Sequence, residues 1–208
     1  NFSTIDGAAV KAIEKRTKHD IVAANTWVTI RAQQQGLDAD LMRRLIHFAR
    51  TSADVNTNVT GELYSKAIGQ WCSSIGNLLD MLKNQAEKYK EVVCIGQTHG
   101  QDAQLTTLGH IYANFAEQIR LQAHNLLEDS QLLLDGKIAG ATGTDVDMVA
   151  AFPEHDFDEM YRKIVEEKFG LRFVKLGNDQ DCSNASLFDA LNDMAAVGFI
   201  VQKSANDI

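Results

Sequence analysis

Residues 63–89 read LYSKAIGQWCSSIGNLLDMLKNQAEKY, and their periodicity decides the fold class. Apolar positions Leu63, Tyr64, Ile68, Trp71, Cys72, Ile75, Leu78, Leu79, Leu82, Ala86 and Tyr89 recur at steps of three and four with no proline among them. That spacing draws a stripe down one face of a helix. The implied helix is roughly thirty residues and some 45 Å long at about 1.5 Å per residue. It far exceeds the globular average and needs neighbours along its whole length to bury the stripe.

The same pattern extends outward. A second helix is expected from about Leu105 to Leu134 through Leu108, Ile111, Tyr112, Phe115, Ile119 and Leu126. A third is expected from about Ala185 through Leu187, Phe188, Leu191, Met194, Val197, Ile200 and Val201 to the end of the chain. Shorter helices are expected from about Gly7 to Gln34, stopped by Gly36, and from Asp38 to about Arg50. The reading is all-α, a long-helix bundle completed by other subunits.

Composition narrows the function. One proline, 14 glycines and 45% apolar residues among 208 describe an ordered globular chain. A net charge of −8 argues against a general nucleic-acid binder, which needs a concentrated basic face. Any anionic ligand must then be held by local groups. Cys72, Cys94 and Cys182 are odd in number and widely spaced, which suits a reducing compartment rather than a disulfide framework. The six histidines and three cysteines lack metal-ligand spacing. No run approaches a membrane span, and residues 1–20 lack the apolar centre of a signal peptide. The expectation is a soluble, cytoplasmic protein.

Polar interruptions separate the helices: RTKHD (16–20), TSADVNTN (51–58), QTHGQDA (97–103) and the small-residue run KIAGATGT (137–144). Each has an ordinary explanation. His19 and Asp20 form a surface pair; Thr51, Ser52 and Asp54 offer oxygens to the orphan N–H groups of a first helical turn. His99 sits in a turn between two helices, and the glycines supply turn chemistry or let another backbone approach closely.

Taken in this order, the four stretches resemble the fumarase/aspartase superfamily of elimination enzymes and, within it, the adenylosuccinate lyase family. RTKHD is similar to that family's Thr-x-His-Asp, TSADVN to its Thr-Ser-x-Asp-x-Asn, THGQDAQLTTLG to its Thr-His-Gly-Gln-x-Ala-x-x-x-Thr-x-Gly, and KIAGATG to its Lys-Ile-x-Gly-Ala-x-Gly. The resemblance covers about Ile13 to Asp207. Fumarases and argininosuccinate lyases typically carry Leu where this chain has Gly100. Departures are Asp102 for a usual Pro, Lys18 for an Asn found in one branch, and Ala139 for another Asn.

The resemblance implies a carbon–nitrogen lyase that eliminates fumarate from adenylosuccinate and the related succinyl-aminoimidazole-carboxamide ribotide, without metal or cofactor. It assigns the acid role to His99 and substrate orientation to His19. Lys18, Asp20, Thr51, Ser52 and Thr98 would bind substrate, as would Gln180 if a gap is allowed in the alignment. A histidine suits the acid role because its ordinary pKa near 6.5 is easily tuned around neutrality. The helix start at Thr51–Asn56 would offer N–H groups to an anion. A homotetramer with shared sites is also implied, with residues 1–50 ending an N-terminal helical domain and 51–208 opening the central bundle.

The family's Gly-Ser-Ser and Met-Pro-x-Lys-x-Asn loop, which carries the general-base Ser, does not occur in residues 1–208. Neither does its early Arg-Tyr segment. The expectation is therefore the central portion of a longer protein, inactive alone. Other lyases of the superfamily, acting on argininosuccinate, fumarate/malate or aspartate, and a non-catalytic paralogue are the alternatives.

Overall fold

The computed structural model describes residues 4–128, 134–176 and 179–207. By their contacts they form two compact units, one from residues up to Gly61 together with Asp135–Ser183, the other from Glu62–Leu134 together with Asn184 onward.

The first unit opens with α1 (Thr4–Thr17) packed on α2 (Asp20–Gln34), followed by the short α3 (Ala39–Leu45). The single helix expected from Gly7 to Gln34 is thus two. The break falls at Lys18, whose φ of 56° lies in the left-handed region, while its N–H still donates to Glu14 O at 2.8 Å. His19 then takes an extended conformation (φ −150°, ψ 125°) as the N-cap of α2. The helix expected to reach Arg50 stops at Leu45, and a run of turns leads to α4 (Ser52–Lys88). α4 starts eleven residues before the stripe that announced it, because its first turns are polar and face the rest of this unit.

Strand β3 (Asp135–Gly136) pairs in parallel with β4 (Arg172–Phe173). Between them lie α6 (Val146–Ala151), α7 (Asp158–Lys163) and a π-helical turn over Ile164–Lys168. Gly136 explains the close fit of the β3 backbone. A Cβ there would stand 2.4 Å from Asn58 Oδ1 and 2.7 Å from Val165 Cγ1. Ile13, Ile21, Ala23, Tyr161, Val165 and Leu171 are among the unit's buried residues. Asp145, with φ 51°, is held by Arg50 and Tyr161: Arg50 Nη2 donates to Asp145 Oδ1 at 2.5 Å and to Tyr161 Oη at 2.9 Å, and Tyr161 Oη donates to Asp145 Oδ2 at 2.8 Å. Burial first, and then this bond to Asp145, push the Tyr161 phenol well above its ordinary pKa.

The second unit holds the long part of α4, α5 (Leu108–Glu128) and α8 (Ala185–Asp207). Ile75, Leu82, Phe115, Ile119, Ala123 and Val197 form its buried core, flanked by Trp71, Leu78, Leu79, Ile111, Ile200 and others. From Ile68 onward the stripe read from residues 63–89 is buried or partly buried, while Leu63 and Tyr64 at its start are exposed, and α8 occupies its expected span. Residues 129–133 of the expected second helix lie outside the described residues.

One expectation is corrected here. QTHGQDA is not a bare turn between helices but the end of a β-hairpin, β1 (Val93–Thr98) against β2 (Gln101–Thr107), which also takes the residues expected to start α5. The two strands pair antiparallel from Val93↔Thr107 to Thr98↔Gln101, with an irregularity after Gly96. His99 (φ 55°) and Gly100 (φ 72°) make the two-residue turn. Two consecutive positive φ angles match the twist of paired strands, which is why such turns favour residues that tolerate the left-handed region. The hairpin is seated by Leu108 N–H donating to Val92 O at 2.8 Å and Gly109 N–H donating to Tyr89 O at 3.0 Å.

Candidate active site

In the first unit three of the four polar stretches expected to carry function converge, RTKHD, TSADVNTN and KIAGATGT. The starting point is the α1–α2 break, which leaves His19 and Asp20 at the first turn of α2. Asp20 Oδ1 accepts the Ile21 N–H at 2.7 Å and lies 3.1 Å from His19 Nδ1. Asn56 Nδ2 donates to Asp20 Oδ2 at 3.3 Å. The Ile21 N–H is the main cause that holds the Asp20 carboxyl below the usual carboxylate range; desolvation opposes it, and the Asn56 amide and the His19 charge reinforce it. Asp20 is thus anionic at neutral pH. Whatever stability this shift contributes is present above the ordinary carboxylate pKa and is lost as pH falls through the folded value.

A carboxylate against Nδ1 favours the proton on that nitrogen and turns Nε2 outward. His19 Nε2 lies 3.4 Å from Ser52 Oγ. Next to it, Thr51 Oγ1 accepts from Gln180 Nε2 at 3.4 Å. The structure therefore brings His19, Asp20 and Ser52 into one set of polar contacts and Thr51 and Gln180 into another, side by side at the start of α4, with Lys18 exposed beside His19. His19 and Asp20 are about half exposed, at 46% and 55% for their side chains, so the group is open to a ligand.

The hydroxyls are available because another side chain closes the helix end. Asp54 Oδ2 accepts the Thr51 N–H at 2.9 Å, the reaching-back half of a capping box. The same carboxylate accepts Ala139 N–H at 2.9 Å and Gly140 N–H at 3.1 Å and lies 3.3 Å from Lys137 Nζ. Asn58 adds two more links, donating from Nδ2 to Asp54 O and to Lys137 O, both at 2.7 Å. Asp54 is thus the anchor of the KIAG segment as well as a cap.

Thr98 and His99 belong to the second unit, at the exposed tip of the β1–β2 hairpin. Thr98 lines an open cleft of about 1310 Å³ together with Gln97, Gln104, His110, Asn114 and Lys203. Asp102, which stands where the resembling family has Pro, accepts from Gln97 Nε2 at 3.0 Å and braces the strand ends beside His99.

The sequence profile of a family described as Lyase matches residues 1–198. The chain belongs to this lyase family, the fumarase/aspartase superfamily. It is 35% identical over 169 residues to the adenylosuccinate lyase of Methanocaldococcus jannaschii, a match that covers 81% of this chain and 34% of the relative. It is 31% identical over 171 residues to that of Escherichia coli, covering 79% and 36%. The chain thus spans about a third of the length of the curated relatives it matches. Among solved structures, β-carboxy-cis,cis-muconate cycloisomerase from Acinetobacter calcoaceticus superposes with a TM-score of 0.77 at 18% identity, covering 98% of this chain and 45% of that one. A fumarate lyase from a Mesorhizobium species gives 0.75 at 17%, covering 96% and 44%. These two likenesses speak for the fold.

Among the described residues, no helix of this superfamily member is long and apolar enough to cross a membrane. Its three cysteines are free, and burial, followed by the charge of Asp135, pushes the Cys182 thiol up to about 11, so that it stays protonated. Sequence reasoning passed over Asn56, Asn58 and Lys137 as members of the polar assembly. Asn56 and Asn58 lay inside a quoted motif and Lys137 headed another, but nothing in the spacing paired them across the chain.

Proposed function

We propose that the whole protein is an adenylosuccinate lyase, which eliminates fumarate in the anti sense from adenylosuccinate and from succinyl-aminoimidazole-carboxamide ribotide in purine nucleotide biosynthesis. The observation that carries this reading is the 35% and 31% identity to adenylosuccinate lyases over about four-fifths of the chain. Gly100, in place of the Leu typical of sister families, supports the same choice.

In the reaction, a base removes the proton from the succinyl carbon next to a carboxylate. The released electron pair forms the carbon–carbon double bond of fumarate as the C–N bond breaks, and the departing nitrogen takes a proton from an acid. His99 is the acid in this reading, and the base comes from the serine loop that residues 1–208 do not contain. His19, oriented by Asp20, and the hydroxyls of Thr51, Ser52 and Thr98 bind carboxylate or phosphate oxygens, with Gln180 and Lys18 beside them. Preorganised donors of this kind stabilise the carbanion-like intermediate. Residues 51–208 form the first part of the central bundle of a homotetramer in which subunits share sites. The open cleft at the hairpin agrees with a site completed by further chain.

The test is direct. The whole protein should release fumarate and AMP from adenylosuccinate in equal amounts and sediment as a tetramer. Turnover of argininosuccinate, malate or aspartate in its place would move it to another branch, and inactivity on all of them would make it a non-catalytic paralogue.

Lys18 gives a sharper expectation. Its cation stands beside the site of a polyanionic substrate in a chain of net charge −8. It also holds a left-handed φ, which costs an L-residue roughly 1 kcal/mol and which Asn tolerates better. Lys18→Asn should therefore raise KM with little change in kcat while raising the melting temperature. Steady-state kinetics and thermal denaturation on one preparation check both, and a fall in kcat equal to that in kcat/KM would instead show participation in the transition state.

A further inference from the structure

Behind the hydroxyls lies a lysine that the reaction as described does not use. Lys137 is fully buried, with 0% of its surface exposed, where a lysine is almost never found unless it is paired. Its ammonium has three donors and no acceptor, and it meets three acceptors from three separate stretches of chain. These are Asp54 Oδ1 at 3.3 Å, Gly140 O at 3.1 Å and Asp179 O at 3.1 Å.

Two of those acceptors adjoin site groups. Asp54 holds the Thr51 N–H through its other oxygen at 2.9 Å, which fixes Thr51 and Ser52 at the start of α4. Asp179 immediately precedes Gln180, whose amide donates to Thr51 Oγ1 at 3.4 Å. The path from Ser52 to Gln180 on the buried side therefore runs through Lys137 Nζ. On the exposed side it runs through the Thr51 hydroxyl. An apolar side chain of equal length would fill the space but leave a carboxylate and two carbonyls with no shared donor.

We propose that Lys137 is a positioning residue: its ammonium sets the spacing between the Thr51–Ser52 pair and Gln180, so that their polar atoms meet the substrate together. Lys137 itself, being buried, does not touch the substrate. The proposal rests on the lyase reading above for its kinetic consequence and on the geometry alone for its structural one.

The experiment compares Lys137→Met with the wild-type whole protein at a temperature where circular dichroism shows both fully helical. A displaced pair of binding groups should lower kcat/KM for adenylosuccinate by about 10–100-fold. Adding Gln180→Ala to Lys137→Met should then lower it little further, because the two changes disable one unit. A folded Lys137→Met with wild-type kcat and KM overturns the proposal, as does full additivity with Gln180→Ala. Should Lys137→Met not fold, Lys137→Arg retains the charge with its donors displaced; a folded Arg variant with altered KM supports positioning, and one with unchanged kinetics overturns it. Should the wild-type protein not turn over adenylosuccinate, the functional reading fails separately, and a crystal structure of the folded variant decides. Separation of Thr51 Oγ1 from Gln180 Nε2 beyond hydrogen-bond reach supports the role of Lys137, and an unchanged contact overturns it.

Discussion

Asp54→Ala is expected to destabilise the protein by about 3–5 kcal/mol, the usual cost of removing one partner from a buried ion pair. The cause is specific to this carboxylate. Asp54 and Lys137 have side chains 2% and 0% exposed, so neither charge has water to fall back on. The substitution also strips the acceptor from the N–H groups of Thr51, Ala139 and Gly140. Urea denaturation of the whole protein should show the loss as a lower midpoint. Pairing the change with Lys137→Met should recover part of it, because the stranded ammonium is then gone. A stability loss of less than about 1 kcal/mol would mean that solvent reaches the pair.

His99→Ala is expected to lower kcat by about 10²–10⁴-fold, the range for a lost general acid, and to leave helical content intact. His99 is exposed at the hairpin tip and belongs to no helix, so its truncation removes a reactive group without touching the core of α4, α5 and α8. One local effect accompanies it. At φ 55° alanine is less tolerant than histidine of the left-handed region, so a small loss of hairpin stability should appear, well under the effect on turnover. His99→Asn provides the control, since Asn is at home in such a turn and carries no titratable proton. Equal kcat losses in both variants assign the effect to proton transfer; a loss in the Ala variant alone assigns it to the turn.

How much of this was legible in the sequence differs by element. The long helices were, because an apolar stripe at steps of three and four leaves few other ways to bury Ile75, Leu82, Phe115, Ile119 and Val197 together. The hairpin was not. Its strands carry Gly96, Gln97 and Gln104 and turn the apolar Val93, Ile95 and Leu105 outward, so no apolar-in, polar-out alternation marks them. Its turn is His-Gly in place of the more telling Asn-Gly. The break at Lys18 was visible only as a polar interruption, since neither glycine nor proline stands there. For the site, the order of motifs supplied His19, Asp20, Thr51 and Ser52, a gapped alignment supplied Gln180, and the fold places these side chains near one another. The Asp54–Lys137 pair was hidden because a single polar contact between distant stretches has no period. Asp54 read as a simple cap, and it is also the anchor of another loop.

The division of labour at the start of α4 makes neighbouring positions separable to a genetic screen. Helix ends usually entangle the two phenotypes, because a threonine at the N-cap both secures the helix and presents its hydroxyl, so that any loss of function there is read equally well as misfolding. Here the backbone end is closed by Asp54, three residues on, and the Thr51 hydroxyl is engaged by Gln180. Variants at 51 should sort by growth phenotype with normal protein abundance, and variants at 54 by abundance first. A library across this one turn would map the working surface and its foundation as two distinct signals.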